Sequence, residues 1–185
     1  MIITITGPRS VGKSTVSKLV AKKMKLRYVS SDEIGEKALK KHGGLDKSIK
    51  SGIIKQFIKE KGYDLIIKEY KKNNFVFDLS GGSISSSDFP KASEELRKIV
   101  NKKSIVIGLL PFIDKNKSVR FLFNREKNRA HFKEVDKTEL LARTKKRYPR
   151  ISKILKEFCD RIIYTQEKPS SIIAEEIINY VTDVK

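Results

Sequence analysis

Apolar positions along this chain fall into short β-branched runs separated by longer stretches with helical spacing. Residues 2–6 read IITIT, a run with the length and composition of a buried strand. From Gly12 to about Met24 the apolar positions Val16, Leu19, Val20 and Met24 recur on one face, which predicts a helix. LRYVS at 26–30 predicts a second strand, and residues 32–41 a helix stopped by His42-Gly43-Gly44. Two amphipathic helices are predicted over 46–60 and 62–72, divided at Gly62. NFVFDLS at 74–80 reads as a third strand ending in Gly81-Gly82, and the serine cluster Ser83 to Ser87 as a loop. Asp88 has the chemistry of an N-cap and Pro90 suits a first helical turn, so a helix is expected to about Lys102. SIVIGLL at 104–110 predicts a fourth strand, stopped by Pro111. Residues 114–135 are highly charged. A long helix is expected from Asp136, with an interruption at Pro149 left open. RIIYT at 161–165 is a fifth strand, and Pro169 opens a last helix to about Tyr180.

Strands alternating with helices imply a parallel sheet covered on both faces, an α/β architecture. No internal repeat or low-complexity linker divides the chain, so residues 1–185 are expected to form a single domain.

Composition narrows the setting. Hydrophobic residues make up 38% of the 185, spread along the whole length, which suits a globular protein. No apolar run approaches the roughly 18 residues of a membrane span, and the opening residues carry no basic leader. A single cysteine, Cys159, leaves no internal disulfide. It shares an apolar helix face with Ile154, Leu155 and Phe158, so buried packing is expected of it. A cytoplasmic monomer with no membrane partner is the expectation. The two histidines, His42 and His131, lie far apart, and with one cysteine they make no zinc cage. His42 reads as a helix-end residue and His131 as a residue beside the charged segment.

The charge balance is unusual: 41 Lys+Arg stand against 22 Asp+Glu, a net of +19. Such an excess attracts anions and nucleic acid. Here the lysines are scattered through KKMK, KKH, YKKNN, NKK and TKK rather than gathered in one stripe, and no aromatic ladder runs among them. A solvated surface is the simpler account, so no nucleic-acid partner is favoured.

The chemistry begins at Gly7. Residues 7–14, GPRSVGKS, fit GxxxxGK[ST] in full, between a predicted strand and a predicted helix. The glycines let successive backbone N–H groups of Gly7, Pro8, Arg9, Ser10, Val11, Gly12 and the residues after them curve around phosphate oxygens, Pro8 excepted because it has no N–H. The following helix adds the positive end of its dipole. Lys13 is expected at the β- and γ-phosphates and the Ser14 hydroxyl at Mg²⁺, with Thr15 alongside. ATP is the expected ligand.

Three further features fall at strand ends, on the carboxyl edge where ligands bind in such sheets. Asp32 in VSSDEIGE is placed to orient and deprotonate an alcohol attacking the γ-phosphate; a helix N-cap explains the same residue equally well. Gly81 and Gly82 in FDLSGGS allow close backbone approach to a ligand, or make a plain turn. Arg120, Arg125 and Arg129 lie in the charged stretch after strand four. That stretch reads either as a lid over about 115–135 closing on phosphate charge or as a solvated helix.

Taken together, these residues resemble the shikimate kinases, small members of the nucleoside-monophosphate-kinase group. GPRSVGKSTVSKLVAKKMKLRYVSSDEI is similar to their opening run, LSGGS to their glycine-rich substrate loop, NRAHF to their lid, and KRYP at 146–149 to their Lys-Arg-x-Pro segment. The resemblance implies a three-layer P-loop kinase fold with a five-stranded parallel sheet in the order 2-3-1-4-5. It implies transfer of the ATP γ-phosphate to the 3-hydroxyl of shikimate with Mg²⁺, in aromatic amino-acid biosynthesis. In that scheme Lys13 holds phosphate and Ser14 the metal, and Arg120 and Arg125 lie at the nucleotide. Asp32 deprotonates the hydroxyl, Gly81 and Gly82 line the substrate, Arg129 stabilises the transferring charge, and Arg147 grips the substrate carboxylate. Two departures stand out. Ser30-Ser31-Asp32 replaces the family's Asp-x-Asp, and Asp78 in FVFDLS is expected to supply the missing carboxylate near the metal. GYDLIIKEY offers no arginine where the family carries a second carboxylate clamp, and only Lys68 is near that position. A kinase for another small acceptor, such as a sugar acid or a nucleoside monophosphate, stays open as an alternative. A nucleotide-dependent nucleic-acid-binding module is the more distant one.

Overall fold

The computed structural model describes residues 1–129, 132 and 135–184. His131, and with it part of the predicted lid, lies outside the described residues.

Five strands form one parallel sheet in the order β2-β3-β1-β4-β5. They are β1 (Ile2–Gly7), β2 (Arg27–Ser30), β3 (Phe75–Ser80), β4 (Ile105–Leu110) and β5 (Arg161–Tyr164). β1 is central because it is apolar on both faces: all six of its residues are buried. Of its two buried hydroxyls, that of Thr4 meets Tyr70 Oη at 2.9 Å and Ser104 Oγ at 2.8 Å, while that of Thr6 has no hydrogen-bond partner among the described residues. Phe75, Phe77, Ile3, Ile5, Ile107 and Leu109 are all closed to solvent. Each such side chain contributes about 1.5–3 kcal/mol of transfer free energy. Tyr70, Phe75 and Phe77 stack edge to face with centroids 5.2–6.1 Å apart.

The helices are α1 (Lys13–Lys23), α2 (Ser31–Ala38), α3 (Gly44–Lys50), α4 (Ile53–Phe57), α5 (Tyr63–Glu69), α6 (Gly81–Ile84), α7 (Pro90–Lys103), α8 (Lys115–Glu126), α9 (Lys137–Phe158) and α10 (Ser170–Asp183). The helix expected over 46–60 is broken at Gly52, whose φ of 78° ends α3 and starts α4. A π-helical turn, Ile58–Gly62, then runs into α5 without a break at Gly62. Asp88 is not the cap of α7. Phe89 occupies that position, and the Asp88 carboxylate pairs with Lys55 at 3.1 Å. Asp136 does cap α9, accepting from the Glu139 N–H at 2.9 Å. α9 continues through Pro149 for 22 residues, held by the buried Leu140, Tyr148, Leu155 and Phe158.

The charged stretch after β4 is, over Lys115–Glu126, a helix, as one of its two sequence readings expected. Val119 and Leu122, three apart, are buried, and α8 packs along α9 through that face. Arg120 and Arg125 are exposed, whereas Ser118 and Glu126 are buried with the apolar face. Among the described residues no helix is long and apolar enough to cross a membrane.

Candidate active site

β1 delivers the chain to the loop that the sequence marks. Ser10 has φ 66° and Gly12 φ 109°, so the backbone alternates into the left-handed region and turns its N–H groups toward one concavity. α1 begins at Lys13 with no acidic residue in its first turn, which leaves the positive end of its dipole uncompensated. Ser14 and Thr15 are exposed at that end. The Lys13 ammonium donates to the Pro8 carbonyl at 3.0 Å. Burial pulls this ammonium below its ordinary pKa. Asp78 and Asp32 push it back up, and Arg9 and Arg129 add to the lowering. The charges of two carboxylates and two guanidiniums therefore act on the lysine.

Asp78 sits near the carboxyl end of β3, in register with Ile5 of β1 and Ser30 of β2. It is 3% exposed, and Tyr28 Oη donates to its Oδ2 at 3.2 Å. Burial first, and the Asp78 charge second, raise the Tyr28 phenol well above its usual range, so it remains a donor. The two serines before Asp32 do structural work. Ser31 Oγ donates to the Asp78 carbonyl at 3.2 Å and accepts from the Ser80 N–H at 2.9 Å, tying the ends of β2 and β3 together. Ser30 caps α2, accepting from the Asp32 N–H at 3.2 Å. The cap reading of Asp32 is thereby overturned: Asp32 is the second residue of the helix, with its carboxylate exposed on the side of Lys13.

Gly81 and Gly82 open a one-turn helix, so the segment is neither a plain turn nor, to Ile84, a loop. Ser80 Oγ caps it, accepting from the Gly82 N–H at 3.3 Å. Gly81 is required by contact: a Cβ there would lie 2.4 Å from the Gly7 carbonyl oxygen. The turn rests directly on the phosphate loop. Its far end is held from α5 and α7. Tyr63 Oη donates to the Ser83 carbonyl at 3.1 Å and meets Ser93 Oγ at 2.9 Å, while the Arg97 guanidinium donates to the Ile84 carbonyl. Short helices leave carbonyls without intrahelical partners, and these side chains satisfy them. Nothing in the local sequence marked Tyr63 or Arg97, because their partners lie at least 13 residues away.

The arginines separate in space. Arg125 lies over the Phe121 ring at 5.3 Å. With Gly12, Thr15, Phe121 and Lys168 it lines a cavity of about 200 Å³ between the phosphate loop, α8 and the start of α10. Arg120 does not line that cavity. Arg129 follows α8, with its N–H donating to the Glu126 carbonyl at 2.9 Å. The sequence missed Glu126. It is 6% exposed and its carboxylate accepts from Thr144 Oγ1 at 3.2 Å. Arg9 stacks on Phe132 at 5.2 Å. Burial lowers the Arg9 pKa, with Arg147 adding to the lowering ahead of Arg129, while Glu126 and Asp32 oppose it. Of the α9 arginines, Arg143 is engaged with Glu139, whereas Arg147 acts on Arg9. Lys68 is exposed on α5.

A family model described as shikimate kinase matches residues 9–182. Solved structures share the fold at low identity. Shikimate kinase from Acinetobacter baumannii in complex with shikimate is 19% identical, with a TM-score of 0.68, and the alignment covers 100% of this chain and 94% of that one. Shikimate kinase from Bacteroides thetaiotaomicron is 14% identical at TM-score 0.69, covering 99% and 98%. Deoxyadenosine kinase from M. mycoides with bound dCTP is 18% identical at TM-score 0.58, covering 99% and 100%. No curated protein matches the chain.

Proposed function

We propose, from the premise that this chain belongs to the shikimate kinase family, that it transfers the γ-phosphoryl group of ATP to the 3-hydroxyl of shikimate. The supporting observation is the convergence of Asp32 and the Gly81 turn on the phosphate loop that carries Lys13.

In this reading the loop amides and the dipole end of α1 hold the phosphates, and Lys13 and Arg129 meet the charge on the transferring group. Asp32 orients the acceptor hydroxyl and takes its proton on a carboxylate oxygen as the bond to phosphorus forms. Gly81 and Gly82 bring the acceptor close because nothing projects from their Cα atoms. The Arg125 cavity receives the base of the nucleotide. The residues present fit a divalent cation: the buried Asp78 carboxylate faces the Lys13 end of the loop, and the Ser14 hydroxyl is exposed there. Ser14 and Asp78 would hold Mg²⁺, which supplies charge neutralisation between the phosphates. A cytoplasmic monomer acting in aromatic amino-acid synthesis follows from the same reading.

One observation favours a second acceptor. α5 presents Lys68 where a planar guanidinium fork is expected, which suits another hydroxy acid or a phosphate-bearing acceptor. ADP release with ATP, Mg²⁺ and a panel of shikimate, sugar acids and nucleoside monophosphates separates the two. Shikimate-dependent turnover that falls by about 10²–10⁴-fold in Asp32→Asn supports the first reading. Turnover confined to another acceptor refutes it.

A further inference from the structure

Arg9 stands between the acceptor turn and the segment that follows α8. The residues before it form the floor of that turn: a Cβ on Gly81 would lie 2.4 Å from the Gly7 carbonyl oxygen and 3.6 Å from the Pro8 nitrogen. On its other side the Arg9 guanidinium lies over the Phe132 ring, three residues past Arg129. Arg9 is itself half-buried. The charges felt at Arg9 are those of Arg147, Glu126, Arg129 and Asp32. Glu126 is enclosed and already accepts from Thr144. Among the described residues neither Arg9 nor Arg147 forms an ion pair.

Two guanidiniums beside one space, one of them half-desolvated, repel each other unless an anion lies between them. The nucleotide phosphates have their own partners in Lys13, the loop amides and the α1 dipole. α9, which carries Arg147, packs against both β1 and the Gly81 turn, and the Arg147 charge is felt at Arg9, on the side where the acceptor is expected. α5 contributes no guanidinium there.

We propose that Arg9 and Arg147 together grip the carboxylate of the acceptor, so that the phosphate loop itself carries a specificity determinant. The proposal rests on the shikimate reading above. It moves Arg9 from the nucleotide phosphates, where its place in the loop motif put it, to the acceptor. It also accounts for the missing arginine on α5: the second fork comes from the loop. A planar fork matches a carboxylate bidentately from each side, and a lysine in its place does not.

The test compares shikimate with its uncharged methyl ester as acceptors for wild type, Arg9→Gln, Arg9→Lys and Arg147→Gln, with Tm recorded for each. Wild type is expected to prefer the acid. Arg9→Gln should shrink that ratio of kcat/KM by about 10–100-fold, through the KM for the acceptor rather than for ATP. Arg9→Lys should fall between. Arg147→Gln should shrink the same ratio, and the double variant by less than the product of the two. An unchanged acid-to-ester ratio in folded Arg9→Gln and Arg9→Lys, or a loss confined to the KM for ATP, overturns the proposal while leaving the shikimate reading standing. Absence of shikimate turnover in wild type overturns both.

Discussion

Gly81→Ala isolates the contact between the acceptor turn and the phosphate loop. The added methyl carbon would lie 2.4 Å from the Gly7 carbonyl oxygen and 3.0 Å from the Gly7 carbonyl carbon, against an ordinary contact of 3.4 Å or more. The shortfall is about 1 Å, and both partners are backbone, so no rotamer change relieves it. Either the turn or the loop must move by that amount. Overpacking of this kind costs about 1–3 kcal/mol, which for a chain of this size lowers Tm by roughly 3–10 °C. The functional loss is larger, since a displacement of about 1 Å between acceptor and phosphate costs on the order of 10²-fold in rate. Gly82→Ala is the internal comparison. Its nearest neighbour would be Ser80 Oγ at 3.5 Å, an ordinary contact, and its φ is not positive. Tm should therefore stay within about 2 °C of wild type for Gly82→Ala. Thermal melts and acceptor-dependent ADP release on both variants decide the matter. Equal Tm and equal kcat for Gly81→Ala and wild type would refute the claim that the turn is seated on the loop.

Three other outcomes are expected. Asp78→Asn should raise the Mg²⁺ concentration needed for half-maximal turnover by about tenfold or more while preserving the fold, because the amide still accepts from Tyr28; an unchanged Mg²⁺ titration removes Asp78 from the metal. Arg97→Met should raise the KM for the acceptor several-fold and leave the KM for ATP near wild type, since the hydrogen bond Arg97 donates goes to the far end of the acceptor turn; equal changes in both constants refute that division. Burial, and then the neighbouring Asp160 charge, push the Cys159 thiol far above its ordinary range. The folded protein should therefore resist alkylation at pH 8, where the thiol is protonated, and react once urea returns it to a pKa of about 8.5. Rapid native labelling at pH 8 overturns this.

Much of the fold was legible because its signals are local. All five strands are short apolar runs within a residue or two of their expected bounds, and β1 and β3 are apolar on both faces. The phosphate loop was equally plain, since its glycines and lysine act through their own backbone. What failed was decided by contacts distant in sequence. The charged run after β4 left helix and lid both open because Val119 and Leu122 give only a narrow apolar face, which α9 completes. Asp88 has a cap's chemistry, yet Lys55 takes its carboxylate. The serines at 30 and 31 looked only like a lost carboxylate, yet Ser31 joins the ends of β2 and β3 and Ser30 caps α2. Arg9 belongs by spacing to the nucleotide phosphates, and what proposes another role for it is likewise distant in sequence. Its neighbours, Phe132 and Arg147, come from positions more than 120 residues later.

The central place of β1 also shapes how the protein comes to exist. The first strand made is the innermost, and its pairing partners are residues 75–80 and 105–108. As the chain leaves the ribosome, IITIT has nothing to pair with until some eighty residues have followed, and its second edge stays bare until about thirty more emerge. Closing such distant pairs slows folding, and an exposed apolar strand invites association with other chains. The catalytic loop hangs from that strand, so no shortened product ending before β4 can assemble it. Activity in a nascent-chain series should therefore switch on late and abruptly, never growing in proportion to length.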